Sequence, residues 1–102
     1  MKFYYNGKLI RTSKTRHYKY AIGTEEYGFS TCSETLGNAQ KHLQQKINRH
    51  IETAKSNLNF AKNPENLEWL KERYGADYDA DKRYKEDMER VKLYKIVELE
   101  EK

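Results

Sequence analysis

Hydrophobic and aromatic residues alternate with polar ones near the start of the chain, in the pattern of β-strands. Asn6 and Gly7 separate two such stretches, Phe3–Tyr5 and Lys8–Thr12. Asn-Gly accepts the two positive φ angles of a type I′ turn. The pattern therefore predicts a tight antiparallel hairpin.

A second pair of strands is predicted downstream. Residues 17–22 alternate, with Tyr18, Tyr20 and Ile22 on one side, and residues 27–31 have strand composition. The intervening Gly-Thr-Glu-Glu sequence is typical of a turn. The first third of the chain is thus predicted to form an antiparallel meander.

From Thr31 onward the apolar period changes to three and four residues, which predicts a helix of about 28 residues and about 42 Å. Thr31 or Ser33 is expected to cap its start. The apolar positions are Leu36, Ala39, Leu43, Ile47, Ile51, Ala54, Leu58 and Ala61. They form a single stripe.

Two shorter helices are predicted after the long one. Asn63 is a good N-cap, Pro64 suits the first helical position, and Gly75 suits the position after the last turn. These signals predict a helix over residues 64–74. An acidic turn follows, whose aspartates favour the positive end of a third helix. That helix is indicated by the spacing of Ala80, Tyr84, Met88 and Val91.

The segment from Val91 to Leu99 has the composition of a strand, which we expect to join the sheet. The predicted fold class is therefore α+β: an N-terminal antiparallel β-meander packed on a long amphipathic helix plus two shorter helices. With 102 residues, the chain is expected to form a single domain over 1–102.

The hairpin turn fixes which residues share a face of the predicted sheet. The expected pairs are Tyr5 with Lys8, Tyr4 with Leu9, Phe3 with Ile10 and Lys2 with Arg11. The core face then carries Phe3, Tyr5, Lys8 and Ile10, and the outer face carries Lys2, Tyr4, Leu9 and Arg11, joined by His17 and Lys19. Two like charges opposite each other, Lys2 and Arg11, repel. A bound anion, a glutamate from the C-terminal part or splaying of the strand end would offset this repulsion.

Charge is concentrated in the same region. The chain has a net charge of +4, and its first twenty residues hold six Lys/Arg and no acid. We therefore expect an anionic partner, either nucleic acid or an acidic protein surface. The candidate binding residues are Lys2, Tyr4, Arg11, Lys14, Arg16, His17 and Lys19, with a further basic flank on the long helix at His42, Lys46 and Arg49.

An alternative function uses the apolar stripe of the long helix. A rod of this length can extend beyond the sheet that covers it, and the excess stripe would then bind another protein or a second copy of the chain. Ile47 and Ile51 lie at the centre of this stripe. If the shorter helices fold back on the stripe instead, no such interface remains.

Catalytic and metal-binding patterns are weak. Cys32 is expected at a helix N-terminus, where the dipole lowers a thiol pKa, but no partner for catalysis accompanies it. Asp77, Asp79 and Asp81 resemble the start of a calcium loop, yet Lys82 and Met88 occupy the positions of its glycine and glutamate. We therefore expect a non-enzymatic protein without metal or cofactor.

Location is indicated by three features. No apolar run approaches the length of a membrane span, and the first residues lack the pattern of a signal peptide. The chain has one cysteine, which fits a reducing compartment. We expect a cytoplasmic protein with no membrane partner.

The run from Gly7 to Thr15, followed by Tyr18 and Ala21, resembles small uncharacterised proteins encoded by phages and prophages of Gram-positive bacteria. The resemblance covers the first quarter of the chain. It implies a small accessory protein that binds a host or phage macromolecule, and it assigns no activity to particular residues.

Overall fold

The computed structural model describes residues 1–102 and confirms the predicted α+β class. The chain divides into two compact units: a β unit, Met1–Ile47 with Leu93–Lys102, and a helical unit, Asn48–Lys92. The single domain stays a prediction. The elements are β1 (Lys2–Tyr5), β2 (Lys8–Thr12), β3 (Tyr20–Thr24), β4 (Gly28–Ser33), α1 (Leu36–Ala61), α2 (Pro64–Tyr74), α3 (Ala80–Val91), β5 (Lys95–Glu98) and β6 (Glu100–Glu101).

The six strands form two antiparallel sheets in the β unit. Sheet A has the order β2-β1-β6, and sheet B has the order β4-β3-β5. Between β5 and β6 lies Leu99, whose N–H donates to the Lys19 carbonyl oxygen at 2.9 Å. The C-terminal strand thus joins the sheet structure as predicted. Strand β5 pairs with β3, and β6 pairs with β1, so each N-terminal hairpin belongs to its own sheet. The predicted single meander is therefore wrong.

The first hairpin has the predicted turn. Asn6 has φ 49° and Gly7 has φ 76°, and both positive values are those of a type I′ turn. Next to the turn, Tyr5 pairs with Lys8 and Tyr4 pairs with Leu9, as predicted. The local sequence therefore sets the register as far as the middle of the strands.

Beyond the middle, a β-bulge changes the register. Phe3 pairs with Arg11 and Lys2 pairs with Thr12, so Ile10 is an extra residue in β2. The predicted pairs of Phe3 with Ile10 and of Lys2 with Arg11 are therefore wrong. Ile10 packs against the core of sheet B, and the guanidinium of the next residue, Arg11, lies over the Tyr18 ring. Arg11 therefore leaves the predicted outer face, and it does not oppose Lys2.

The core of the β unit lies between the two sheets. Ala21, Cys32 and Val97 of sheet B form its buried centre. The residues packed against them are Tyr5, Ile10, Tyr18, Phe29 and Leu99. Tyr18 thus shares the face of Ala21, and the prediction that it lies with Ile22 is wrong. Strand β3 begins only at Tyr20, so the alternation does not extend back to Tyr18.

Strand β4 continues through Ser33, which corrects the predicted start of the long helix. Helix α1 begins at Leu36, and the Thr35 hydroxyl accepts a hydrogen bond from the Asn38 N–H at 3.2 Å. Thr35 is therefore the N-cap, rather than Thr31 or Ser33. The predicted stripe is buried or half-buried from Ala39 to Ala61, whereas Leu36 is 47% exposed.

Both shorter helices occur where the sequence predicts them. Asn63 caps α2 by accepting the Glu65 N–H at 2.9 Å. Asp79 caps α3 by accepting two backbone N–H groups, and this helix includes Val91, so the last strand starts later than predicted. None of the three helices has both the length and the apolar character that crossing a membrane requires.

Candidate anion-binding surface

The outer face of sheet A carries two lysines from different ends of the chain. Lys2 and Lys102 are joined by two backbone hydrogen bonds, of 3.1 and 2.8 Å, so their side chains share a face. Tyr4 lies two residues along β1 on the same face, and the Lys102 ammonium is 5.7 Å from the centre of its ring. The face therefore places two positive charges beside one aromatic ring.

The same face also has apolar and acidic members. Leu9, which is 47% exposed, pairs with Tyr4 on one side, and Glu100 pairs with Tyr4 on the other. A bound anion would be repelled by the Glu100 carboxylate. The positive end of the face is therefore at Lys2 and Lys102, away from the hairpin turn.

The connection between β2 and β3 continues this positive end. Ser13 and Met1 exchange two hydrogen bonds, of 3.0 and 2.9 Å, which hold the connection against the start of β1. The exposed side chains of Lys14 and Arg16 follow directly, and the Arg16 N–H donates to the Ser13 hydroxyl at 3.0 Å. Lys14 and Arg16 therefore extend the positive charge beyond the edge of Lys2.

Lys19 is held at the end of the same connection. Its N–H donates to the Ser33 carbonyl oxygen, and its own carbonyl oxygen accepts the Leu99 N–H, both at 2.9 Å. The backbone at Lys19 is thus fixed between β4 and the C-terminal strand, while the residue is exposed. Because Leu99 packs into the core, this pairing does not place Lys19 on the outer face of sheet A as predicted. We call Lys2, Tyr4, Lys14, Arg16 and Lys102 the basic surface.

Almost all bases of the β unit lack an acidic partner. Ten Lys/Arg and six Asp/Glu lie in this unit, and of these ten bases only Lys95 forms a salt bridge, with Glu25 at 2.7 Å. The unpaired bases are Lys2, Lys8, Arg11, Lys14, Arg16, Lys19, Lys41, Lys46 and Lys102. In the helical unit, by contrast, ten bases face ten acids. The net positive charge of the chain is therefore that of the β unit.

Lys95, the one paired Lys/Arg of the β unit, lies near the turn of the first hairpin. Glu25 accepts a hydrogen bond from the Lys95 ammonium and another from the Tyr5 hydroxyl at 2.7 Å. Lys95 and Tyr5 together lower the pKa of Glu25, and Glu25 in turn raises the pKa of Lys95. Because Lys95 is already neutralised there, it adds nothing to the basic surface.

Two other residues predicted for the outer face lie elsewhere. Arg11 turns toward the core because of the bulge, with its guanidinium carbon 5.2 Å from the centre of the Tyr18 ring. His17 lies 3.4 Å from a carboxylate oxygen of Glu101, which pairs with Phe3 and so faces away from Lys2 and Tyr4. Neither contact is predictable from local sequence, since the first depends on the bulge and the second on where β6 pairs.

The predicted flank of α1 does not form a continuous basic stripe. His42 is half-buried, and its Nδ1 lies 3.1 Å from the Ser33 hydroxyl oxygen. Lys46 is also half-buried, whereas Arg49 is exposed and belongs to the helical unit. His42 therefore links α1 to β4. Lys102, which sequence reasoning missed, contributes more directly to the basic surface because β6 brings it opposite Lys2.

Cys32 lies in β4 and not at a helix N-terminus, so its predicted position is wrong and no helix dipole acts on its thiol. The residue is buried, and its Sγ donates to the Ser30 carbonyl oxygen at 3.4 Å. Burial raises the pKa of the Cys32 thiol, an effect that the nearby Arg11 charge partly opposes.

A buried thiol with a raised pKa should react slowly. We expect iodoacetamide at neutral pH to modify Cys32 in the folded protein about tenfold or more slowly than in the urea-unfolded protein, because little thiolate is exposed. Mass spectrometry of samples quenched over time measures both rates. Equal rates in the folded and unfolded protein would contradict the placement of Cys32 in the core.

No protein-family model matches the chain, and no curated protein or solved structure matches it.

Proposed function

We propose that this protein is a non-enzymatic, cytoplasmic binding protein that engages nucleic acid through the basic surface. The observation that carries the proposal is the set of unpaired bases in the β unit: Lys2 and Lys102 lie on the outer face of sheet A, and Lys14 and Arg16 lie in the connection beside it. Nearby like charges repel one another, and a phosphate backbone would offset that repulsion by lying among them. Such binding is driven by the release of counterions and weakens steeply with salt.

Two features support binding that is independent of sequence. Tyr4 is the one aromatic side chain of the basic surface, and Lys102 already lies over its ring. Stacking can therefore engage about one base, whereas sheet-based readers of single strands stack several. We infer that backbone phosphates provide most of the contacts.

A binding role without catalysis is supported by the surroundings of Cys32. It is the side chain best suited to covalent chemistry, yet it lies in the core with a raised pKa. A lone buried cysteine also fits a reducing, cytoplasmic location. The resemblance to phage accessory proteins stays a prediction and agrees with a binding role.

The proposal is tested by fluorescence anisotropy with labelled single-stranded DNA, duplex DNA and RNA. We expect the triple variant Lys2→Gln, Lys14→Gln, Arg16→Gln to bind at least about tenfold more weakly at low salt, and to reduce the slope of log K against log salt by about 2 to 3. Glu100→Gln should raise the affinity by about twofold to threefold, because it removes a charge that repels the phosphates.

A matched control removes the same charge elsewhere. The triple variant Lys55→Gln, Lys62→Gln, Lys82→Gln neutralises three exposed bases of the helical unit. It should retain most of the affinity. An equal loss in the two triple variants would show that only net charge matters. No binding of any of the three nucleic acids at low salt would refute the proposal and leave an acidic protein surface as the partner to test.

The alternative interface on α1 has little surface to use. Ala39, Ala54 and Ala61 of the stripe are buried, and the larger residues between them are half-buried. Leu36, at the first position of the helix, is the one exposed member. Burial of the stripe therefore favours the basic surface over α1 as the functional site.

A further inference from the structure

The helical unit exposes a cluster of large aromatic side chains. Phe60 is 43% exposed, Trp69 is 49% exposed and Tyr74 is 60% exposed. Phe60 and Trp69 meet edge to face with ring centres 6.3 Å apart. The Arg73 guanidinium carbon lies 5.5 Å from the centre of the Trp69 ring and 5.8 Å from that of Tyr74. We call Phe60, Trp69, Arg73 and Tyr74 the aromatic patch.

The three aromatic residues of the patch line a surface cavity of about 300 Å³, together with Asn57, Leu70, Tyr78 and Arg83. Single exposed apolar residues are ordinary, but contiguous aromatic residues around a cavity are typical of interaction sites. Trp, Tyr and Arg are also the residue types that contribute most to the energy of protein interfaces. The composition thus favours a protein as the occupant.

Charges on α2 indicate which protein. Glu65, Trp69 and Arg73 are spaced four residues apart, and each step of four turns about 40° around a helix, so the three lie along one stripe. Glu65 and Arg73 are exposed, and neither forms a salt bridge within the chain. They stand about 12 Å apart along the axis, with Trp69 midway.

This stripe is complementary to itself. Rotation by 180° about an axis through Trp69, perpendicular to the helix, exchanges the positions of the negative and the positive charge. We propose that the aromatic patch binds a second copy of this chain in a two-fold symmetric dimer, with the two α2 helices antiparallel. Trp69 then meets Trp69 of the partner subunit, and Glu65 lies opposite Arg73 of the partner subunit.

Nucleic acid fits this patch less well. The helical unit has no net charge, and α2 carries Glu68 and Glu72 besides Glu65, all exposed. Stacking sites for single strands combine aromatic rings with a positively charged groove, which these carboxylates oppose. Arg73 stacked on Trp69 keeps hydrogen-bond donors at its edge, and these suit a carboxylate. The inference is independent of the proposed function, which concerns the β unit.

The dimer is tested first by mass. Sedimentation velocity and light scattering of the full chain should show a concentration-dependent rise from 12.2 kDa toward twice that mass. Trp69 is the one tryptophan of the chain, so its fluorescence reports on this site alone. Its emission should shift to shorter wavelength as the dimer forms and the indole leaves water. A chain that stays monomeric up to about 1 mM, where even weak specific contacts associate, would overturn the proposal.

Charge reversal tests the antiparallel geometry. Glu65→Arg and Arg73→Glu should each raise the dimer dissociation constant by about tenfold or more, because each places like charges at both ends of the stripe. An equimolar mixture of the two variants should restore dimerisation, since every opposed pair is then of opposite sign. Lys71→Glu makes the same charge change as Arg73→Glu about 160° from Trp69 around the helix, and it should leave the dimer intact.

Neutral variants guard against a folding artefact, because both reversals oppose the dipole of α2. Glu65→Gln and Arg73→Gln should weaken the dimer about threefold each, and mixing them should recover about half of the lost binding free energy, because the mixed dimer keeps one Glu65–Arg73 pair and the unmixed dimers keep none. Circular dichroism checks that each variant is folded. If Arg73→Glu behaves like Lys71→Glu, if the neutral variants bind as tightly as the parent, or if the mixture fails to recover, the pairing of Glu65 with Arg73 is wrong.

Discussion

Replacing Gly23 with alanine is expected to lower the free energy of unfolding by about 3 kcal/mol or more, the upper range for overpacking a core. A Cβ atom at Gly23 would lie 2.9 Å from the Cα of Phe29 and closer still to the carbonyl oxygen of Gly28. These are backbone atoms of the paired strand β4, so no side-chain rotation relieves the contact. The position is also a bulge, where the pairing shifts between Ile22 and Gly23.

Urea unfolding followed by circular dichroism measures this effect. Gly37→Ala is the matched control, because the residue lies in helix α1 and a Cβ there meets no atom within 4 Å beyond its chain neighbours and the backbone of that helix. Alanine should stabilise that helix by about 0.5 to 1 kcal/mol. The two glycine substitutions should thus differ in sign. A Gly23→Ala protein as stable as the parent would show that β3 and β4 are not packed this closely.

Removing the Phe3 ring should have an effect of the same order. Phe3 is 0% exposed and meets Tyr18 edge to face, with ring centres 5.5 Å apart. Phe3→Ala leaves a cavity and is expected to lower the free energy of unfolding by about 3 to 5 kcal/mol. Since folded domains are stable by only about 5 to 15 kcal/mol, this variant should be largely or partly unfolded at physiological temperature.

Leu9→Ala provides the comparison on the opposite face of sheet A. Leu9 is 47% exposed, so its truncation should cost less than about 1 kcal/mol. Thermal unfolding followed by circular dichroism ranks the two variants. A cost at Leu9 equal to that at Phe3 would mean that the faces of sheet A are assigned the wrong way round. Lys2 and Tyr4 would then point into the core, and the basic surface would not exist.

Helix ends and the first turn were predictable because their causes lie within a few residues of sequence. Asn63, Pro64 and Gly75 mark both ends of α2, and the structure gives the same bounds. The Asn6-Gly7 turn likewise needs only its own positive φ angles. The start of α1 was less clear, because Thr31, Ser33 and Thr35 can each cap a helix. The pairing of β4 with β3 occupies the first two and leaves Thr35.

Sheet membership could not be read from the alternation of residues. Each hairpin forms locally, but their neighbour in each sheet comes from the last residues of the chain. Leu99 lets that segment pass from sheet B to sheet A within one residue. Pairing between residues so far apart in sequence depends on which strands pack best, which periodicity does not encode. Lys102 entered the basic surface only through this pairing.

Short-range signals in the sequence predict the α+β class, the hairpin turn, the caps of α2 and α3, and the concentration of bases near the N-terminus. These depend on backbone preferences and charges that act over a few residues. The tertiary structure alone decided which bases share a face. One extra residue in β2, Ile10, shifts the register, so that Arg11 pairs with Phe3 and lies against Tyr18 instead of on the outer face. Packing against distant residues, rather than alternation, therefore determined that Lys2, Tyr4 and Lys102 form the exposed basic face.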